Sequence, residues 1–321
     1  MFILNEKKLK IGDIILTRSD DAESERIRTR SGSEFSHAML YQTLSSVVES
    51  DGDGVHANNI QRKIFNNSTD AVLLRVKDEH ELEKIKQAVA IAKTMIGTDY
   101  SAKEAIRAIS MESAQAIDPL RQYCTRYVAQ SFKEAGIQLV RNAAYCTPEE
   151  LLNSPELEID RDVLKAASKA HLKLIETESI VQPHKDTTNY ILENMRNSFG
   201  EKIQSLENVY QFVLDNPDKE TEVLKITTDS GYLESWQLEL DKNSYRYDIK
   251  LFYATLETVG LRLKHAVRNI EVMEGMLVVH REMLKNMRHC FKFYNQKYFQ
   301  KHIELYENLI RIENDAIAVG D

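Results

Sequence analysis

From residue 248 to residue 314 an apolar side chain recurs every three to four positions: Leu256, Val259, Leu263, Val267, Ile270, Met273, Leu277, Leu284, Met287, Phe291, Tyr294 and Tyr298. That period is one face of an α-helix, and no strand pattern reproduces it. All five prolines lie between Pro119 and Pro217, so nothing in this stretch breaks a helix by removing a backbone donor. Its length predicts a helical hairpin or coiled-coil-like pair, with Gly275 as the expected break. A stripe this long has to be covered, and a hairpin alone leaves one side open. We therefore expect residues 248–314 to pack on a helix from residues 160–215 and to offer a surface for self-association or a protein partner.

The first half of the chain has another period. Ile14 to Thr17, Ala38 to Gln42, Ser46 to Ser50 and Ala71 to Val76 are short, apolar and β-branched, separated by Gly, Asp, Asn and Ser, and read as strands. Between the first two, SDDAESERIRTRSGSE is polar throughout and reads as a long surface loop or lid. Helical spacing returns from Glu79 to Met95, with Gly97 at a C-cap position, and again from Ser101 to Ile109. With 321 residues, 42% hydrophobic and 29% charged, the chain can bury a real core and has length for about two domains. The change of period places a boundary near residues 155–165, giving domains 1–157 and 158–321.

Charge and cysteine usage exclude several classes. A net charge of −8 argues against bulk attraction to nucleic acid or an anionic membrane. The basic, aromatic stretch KNMRHCFKFYNQKYFQKH reads as a helix with an aromatic core face and a basic rim paired to acidic neighbours such as those at 304–307. Three scattered cysteines, Cys124, Cys146 and Cys290, make neither a disulfide framework nor a zinc site, and we expect no metal or other cofactor. The first twenty residues lack the basic-then-apolar pattern of a secretory signal, and no stretch is apolar enough to span a bilayer. The expectation is a cytoplasmic protein, unless a dedicated secretion route exports it as an effector.

The chemistry centres on RQYCTRYVAQSFKEAG. After Cys124, the residues Tyr127, Val128, Phe132 and Ala135 form an apolar stripe and Gly136 supplies a C′ residue, so Cys124 opens an amphipathic helix. At a helix N-terminus the unpaired N–H groups and the dipole favour a thiolate. A buried, inert thiol is the competing reading. What favours a nucleophile is a base. If Gln42 pairs with Ser46, Met39 faces Glu49, and the two-residue period puts His37 and Glu49 on one face as diagonal neighbours. A register shifted by one would separate them. In the first register a carboxylate orients an imidazole for a thiol, the arrangement of nucleophilic hydrolases. His56, in GVHANN, is the alternative third group, read as a loop histidine. Asp51 and Asp53 with their glycines read as a tight turn, because the twelve-residue calcium-loop pattern is absent.

The blocks GDIILTRS, FSHAMLYQ, VVESDGDGV, QYCTRYVAQSFKEAGI and CTPEELLNSP resemble, in this order, the circularly permuted NlpC-type papain-like cysteine hydrolases of the YiiX/YaeF-like branch, over about residues 10–157. The resemblance implies an α+β fold, a small antiparallel sheet packed on helices, followed here by a mainly α-helical region it does not reach. It also implies Cys124 as nucleophile, His37 as base, Glu49 as orienting group, and Tyr123, beside the nucleophile, as an oxyanion or substrate-positioning residue. The expected activity is cleavage of a peptide- or peptidoglycan-type amide, or of an ester, through an acyl-enzyme. Acyl transfer or lipase chemistry at the same centre is the alternative, and a non-catalytic helical scaffold the alternative of another class. Intact Cys124, His37 and Glu49 speak against the scaffold.

Overall fold

The computed structural model describes residues 1–320 except 44, 111–117, 119, 178 and 180. The chain divides into two compact units, Met1–Val181 with Gln204–Glu207, and Gln182–Ile203 with Asn208–Asp321.

In the first unit the elements run β1 (Phe2–Leu4), β2 (Ile14–Thr17), α1 (Ala22–Ser31), β3 (His37–Thr43), β4 (Ser46–Asp51), β5 (Gly54–Asn59), β6 (Ala71–Val76), α2 (Leu82–Thr94), α3 (Ala102–Ile109), α4 (Cys124–Glu134), α5 (Pro148–Leu152), β7 (Leu157–Asp160), β8 (Leu164–Ala166) and α6 (Lys169–Ile175). Six strands form one antiparallel sheet in the order β5-β4-β3-β2-β6-β7, and β1 pairs with β8 in a separate ribbon. The sheet therefore runs through Asp160. The apolar runs of β2 and β3 are continuous rather than alternating because both faces are covered. Ile14, Leu16, Ala38 and Leu40 pack with α2 and α4, whereas Ile15, Met39 and Tyr41 pack with Leu4, Ile60 and Phe65. Tyr127, Val128 and Phe132 of α4 are fully buried, each worth about 1.5–3 kcal/mol of apolar burial. The Tyr127 hydroxyl donates to the Ala92 carbonyl at 2.8 Å and ties α4 to α2.

The turns set the register. β3 and β4 pair Met39 with Glu49, the register expected from sequence, but Thr43 rather than Gln42 faces Ser46, because a bulge absorbs one residue between Tyr41 and Thr43. At the β4–β5 turn Gly54 has φ +88°, and a Cβ there would meet the Thr98 carbonyl oxygen at 2.7 Å, so only glycine fits. The Asp51–Asp53 turn is closed by the Asp53 amide donating to Asp51 Oδ1 at 3.0 Å.

Two expectations need correcting. The polar stretch read as a loop or lid contains α1. Asp21 caps it through a bond from the Ser24 amide, Gly32 ends it at φ +67°, and only Ser24 in it is buried, so it forms on its caps with almost no apolar stripe. Likewise, GVHANN is a strand, β5, and not a loop. Its alternation of Val55 and Ala57 toward the core with His56 and Asn58 opposite was present in sequence but short.

The second unit comprises α7 (Val181–Phe199), α8 (Leu206–Asp215), α9 (Glu220–Asp229), α10 (Ser235–Lys242), α11 (Ile249–Thr255), α12 (Val259–Tyr294) and α13 (Lys297–Gly320). α12 and α13 form the expected hairpin, joined by Asn269 to the Ala316 carbonyl, His280 to Glu313 and Arg288 to Glu307. The break falls at Asn295, in the left-handed region at φ +51°, and not at Gly275, which continues the helix. Asparagine tolerates that conformation, whereas a lone glycine only weakens a helix that packing holds. As expected, a helix from residues 160–215 covers α13: Gln296 donates to the Val213 carbonyl at 3.0 Å, and the Tyr210 and Tyr306 hydroxyls meet at 3.3 Å. Of the basic, aromatic stretch, Lys285 pairs with Glu282, Arg288 with Glu307 and Lys301 with Glu304, but it is not one helix with an aromatic core face: it turns at Asn295, and Phe293 and Tyr294 stand exposed before the turn while Tyr298 and Phe299 are buried after it. No helix among the described residues is long and apolar enough to cross a membrane.

Candidate active site

Cys124 is the first residue of α4 and is 8% exposed. The N-cap, Tyr123, is extended and makes no side-chain capping bond, so no cap occupies the first-turn N–H groups around the thiol. The helix closes as the sequence suggested, with Gly136 at φ +89° and the Ile137 amide returning to the Phe132 carbonyl. Packing of the α4 stripe on the sheet carries Cys124 to the start of β3, where His37 stands.

His37 and Glu49 meet across the β3–β4 pair, His37 Nε2 lying 2.8 Å from Glu49 Oε2. Cys124 lines the same cleft as His37, near enough for its side chain to raise the imidazole. With Nε2 on the carboxylate, Nδ1 is the ring nitrogen left for the thiol. Burial alone would push His37 down, but the hydrogen bonds to Cys124 and Glu49, with the negative charge each can carry, raise it to about 10. Glu49 is 1% exposed. Burial would raise it, yet the His37 hydrogen bond and the Lys63 charge hold it well below the usual carboxylate range. The centre thus favours a protonated imidazole beside an ionised Glu49.

Around this core lie residues that sequence reasoning did not find. Lys63 Nζ is 2.6 Å from Glu49 Oε1 and 2.8 Å from Oε2, and Asn58 Nδ2 donates to Oε1 at 2.6 Å. Asn58 was legible as the partner of His56 on one face of β5; Lys63 follows a single helical turn at Ile60–Arg62 and carried no pattern. Tyr100 borders the cleft beside Cys124, and burial together with the Cys124 charge raises its phenol.

The remaining sequence candidates sit elsewhere. His56 is 4% exposed on β5, opposite Glu49, with Nδ1 on the Gly54 carbonyl at 3.1 Å and Nε2 on Asn58 at 3.0 Å. Those bonds suit a ring donating through Nδ1 and accepting through Nε2, so it supports Asn58 and does not touch His37. Glu49, Asp51 and His56 bring donor atoms within 4.8 Å of one another, but both Glu49 oxygens are already taken by Lys63, Asn58 and His37, and the group reads as a hydrogen-bond network. The Tyr123 hydroxyl accepts from the Cys146 amide at 3.1 Å and donates toward the Ala144 and Cys146 carbonyls, so it braces that loop rather than the cleft. Cys146 is fully buried and its thiol is pushed up by burial; Cys290 is raised less strongly by the same cause.

The cleft over the dyad has a volume of about 490 Å³ and is walled by Arg18, Asp21, Ile27, Asp51 and Tyr100 among others. A second groove of about 420 Å³ shares Glu23, Ile27 and Tyr100 with it and continues between α1 and α3 along Ala105, Ile106 and Ile109. α3 turns Glu104 inward, fully buried against Arg126 and Tyr145, which leaves Ile106 52% exposed on the groove side.

Residues 8–158 match the family described as permuted papain-like amidase enzymes, YaeF/YiiX, C92. The expected resemblance and α+β fold class therefore hold over the first unit, and the match supports an activity of the cysteine-hydrolase type. Among solved structures, the chain is similar to the metalloprotein yiiX from Escherichia coli O157:H7, at 18% identity and a TM-score of 0.37, over 47% of this chain and 96% of that one. No curated protein matches the chain.

Proposed function

We propose, from the premise that residues 8–158 fall in the permuted papain-like amidase family, that the first unit hydrolyses an amide through an acyl-enzyme on Cys124. The observation that carries this reading is the chain of contacts from Cys124 through His37 to a buried, ionised Glu49. The thiol proton passes to His37, giving a thiolate and an imidazolium that Glu49 stabilises and holds in orientation. The sulfur attacks the carbonyl carbon, and the N–H groups at the start of α4, which no side chain caps, receive the developing oxyanion. His37 then gives its proton to the leaving amine, the C–N bond breaks, and a thioester remains on Cys124. Water, deprotonated by His37, attacks that thioester and releases the acid and the thiol. Tyr123 enters this scheme by holding the loop at 144–146, and His56 by supporting Asn58 behind Glu49.

A second reading, lipase or acyltransferase chemistry at the same centre, is favoured by the groove between α1 and α3, which shares Glu23, Ile27 and Tyr100 with the cleft and sets Ala105, Ile106 and Ile109 opposite Arg26 and Arg30. Binding through the C-terminal helices accompanies either reading, since Val259, Leu263 and Val267 stand exposed at four-residue spacing on α12. The experiment is to present the full chain with a panel of aminoacyl amides, peptidoglycan-type peptides and long-chain acyl esters and to trap the intermediate by mass spectrometry. An acyl adduct on Cys124 that is lost in His37→Ala supports the proposal, and its donor separates amide from ester. Turnover without an adduct on Cys124, or unchanged in Cys124→Ala, contradicts it.

A further inference from the structure

Glu49 is a carboxylate with almost no contact with water, and its geometry asks what keeps it aimed at His37. Its donors are His37 from β3, Asn58 from β5, and Lys63. Asn58 is neutral and holds one oxygen. His37 exchanges its proton with Cys124 in the proposed reaction, so its charge varies during turnover. Lys63 alone among the three brings a standing positive charge, and it spans both carboxylate oxygens, at 2.6 and 2.8 Å. The other charged or titratable groups facing Glu49 are His56, at 4.0 Å, and Asp51, which lies 3.5 Å from His56. Asp51 is a like charge and offers Glu49 no stabilisation. A buried carboxylate deprived of its cation takes up a proton at higher pH and loses the acceptor that an imidazolium needs.

We propose that Lys63 is a positioning residue of this centre: by bridging both oxygens of Glu49 it keeps that side chain aimed at His37, and through it fixes the imidazole against Cys124. The inference rests on the cysteine-hydrolase reading and deepens it. Lys63 borders the cleft with its side chain 28% exposed, but its ammonium is directed to Glu49, so its effect on substrate is indirect.

The test follows the rate of Cys124 alkylation by iodoacetamide against pH in the full chain, comparing wild type with Lys63→Met, Lys63→Gln and Lys63→Arg, each checked for fold by circular dichroism. Lys63→Gln keeps a hydrogen-bond donor without the charge, so it stays informative where Lys63→Met disturbs packing. The expected result is that Met and Gln move the acid limb of the profile upward by about one pH unit, the scale of losing one close opposite charge, and that Arg restores it. An acid limb that stays in place in Met and Gln, or a uniform loss of rate that Arg does not restore, overturns the proposal. Should wild-type Cys124 show no alkylation dependent on His37, the hydrolase reading itself falls and takes this one with it. That outcome is read from wild type and His37→Ala, before any Lys63 variant is compared.

Discussion

Two histidines, one in each unit, His302 buried and His37 half-buried, are pushed in opposite directions. His302 on α13 is 1% exposed, bonds through Nδ1 to the Tyr298 carbonyl and packs edge-on against Tyr210. Burial lowers it to about 4. His37 loses solvent as well, yet it rises to about 10, because a carboxylate and a thiol lie on either side of the ring. Burial by itself makes a histidine neutral and inert. The groups that raise it come from separate segments, β4 and the start of α4. The helical unit pairs α12 with α13 at separate points, Asn269 with Ala316, His280 with Glu313 and Arg288 with Glu307. The sheet unit brings His37, Asn58 and Lys63 together on one carboxylate.

Substitutions should separate the two roles. The largest effect should come from the proposed nucleophile: Cys124→Ala should cut turnover by roughly 10⁴-fold or more with the melting temperature little changed, measured on whichever substrate forms the adduct. Next, His37→Ala should slow both turnover and Cys124 alkylation by roughly 10²–10⁴-fold. His302→Gln should leave alkylation untouched. Equal losses from the two histidine variants would erase the distinction between them.

Glu49→Gln should fall short of Cys124→Ala in its effect on turnover, since it removes an orienting group and not the reacting atom. The same change removes an anion beside the imidazolium, so the His37 titration followed by NMR should move down by about one unit or more. The sign for stability follows. A raised histidine contributes stability that is complete below its unfolded value near 6.5 and is lost as pH rises through about 10. His302, lowered to about 4, contributes stability above its unfolded value that is lost as pH falls from 6.5 through 4. Thermal melts of the full chain at pH 7 and pH 4.5 should show an acid loss in the helical unit of about 2–3 kcal/mol, which His302→Gln removes. At the small end, Arg288→Ala breaks a pair in which both side chains are half exposed and should cost under about 1 kcal/mol.

The parts of this design written in local pattern were legible without coordinates. The runs Ile14–Leu16 and Ala71–Val76 are strands, the residues after Cys124 make an amphipathic helix, and the pairing of Met39 with Glu49 brings His37 and Glu49 together. That last inference reached the right register although the bulge near Thr43 was not foreseen, because the Val47–Glu49 segment is fixed by burial of Val47 and Val48 on opposite faces. Features whose cause is tertiary were not legible. Lys63 carries no periodic signal and matters only because the fold brings it to a buried carboxylate 14 residues earlier. α1 is held by its caps, and its polar sequence resembled a loop. The α12–α13 turn falls at Asn295 because packing of both helices against each other outweighs the weak helix propensity of Gly275.

The central claim, that the sheet unit makes one cysteine reactive while burial leaves the others inert, is tested most directly by alkylating the full chain with a limiting electrophile at pH 7 and mapping all three thiols by mass spectrometry. Cys146 is fully buried, Cys290 lies partly exposed on α12, and both thiols are raised by burial, whereas Cys124 alone touches a histidine held by a carboxylate. The account predicts Cys124 labelled at least about tenfold faster than either of the others, with that excess abolished in His37→Ala. Equal labelling of Cys124 and Cys290, or an excess at Cys124 that survives the loss of His37, would contradict it.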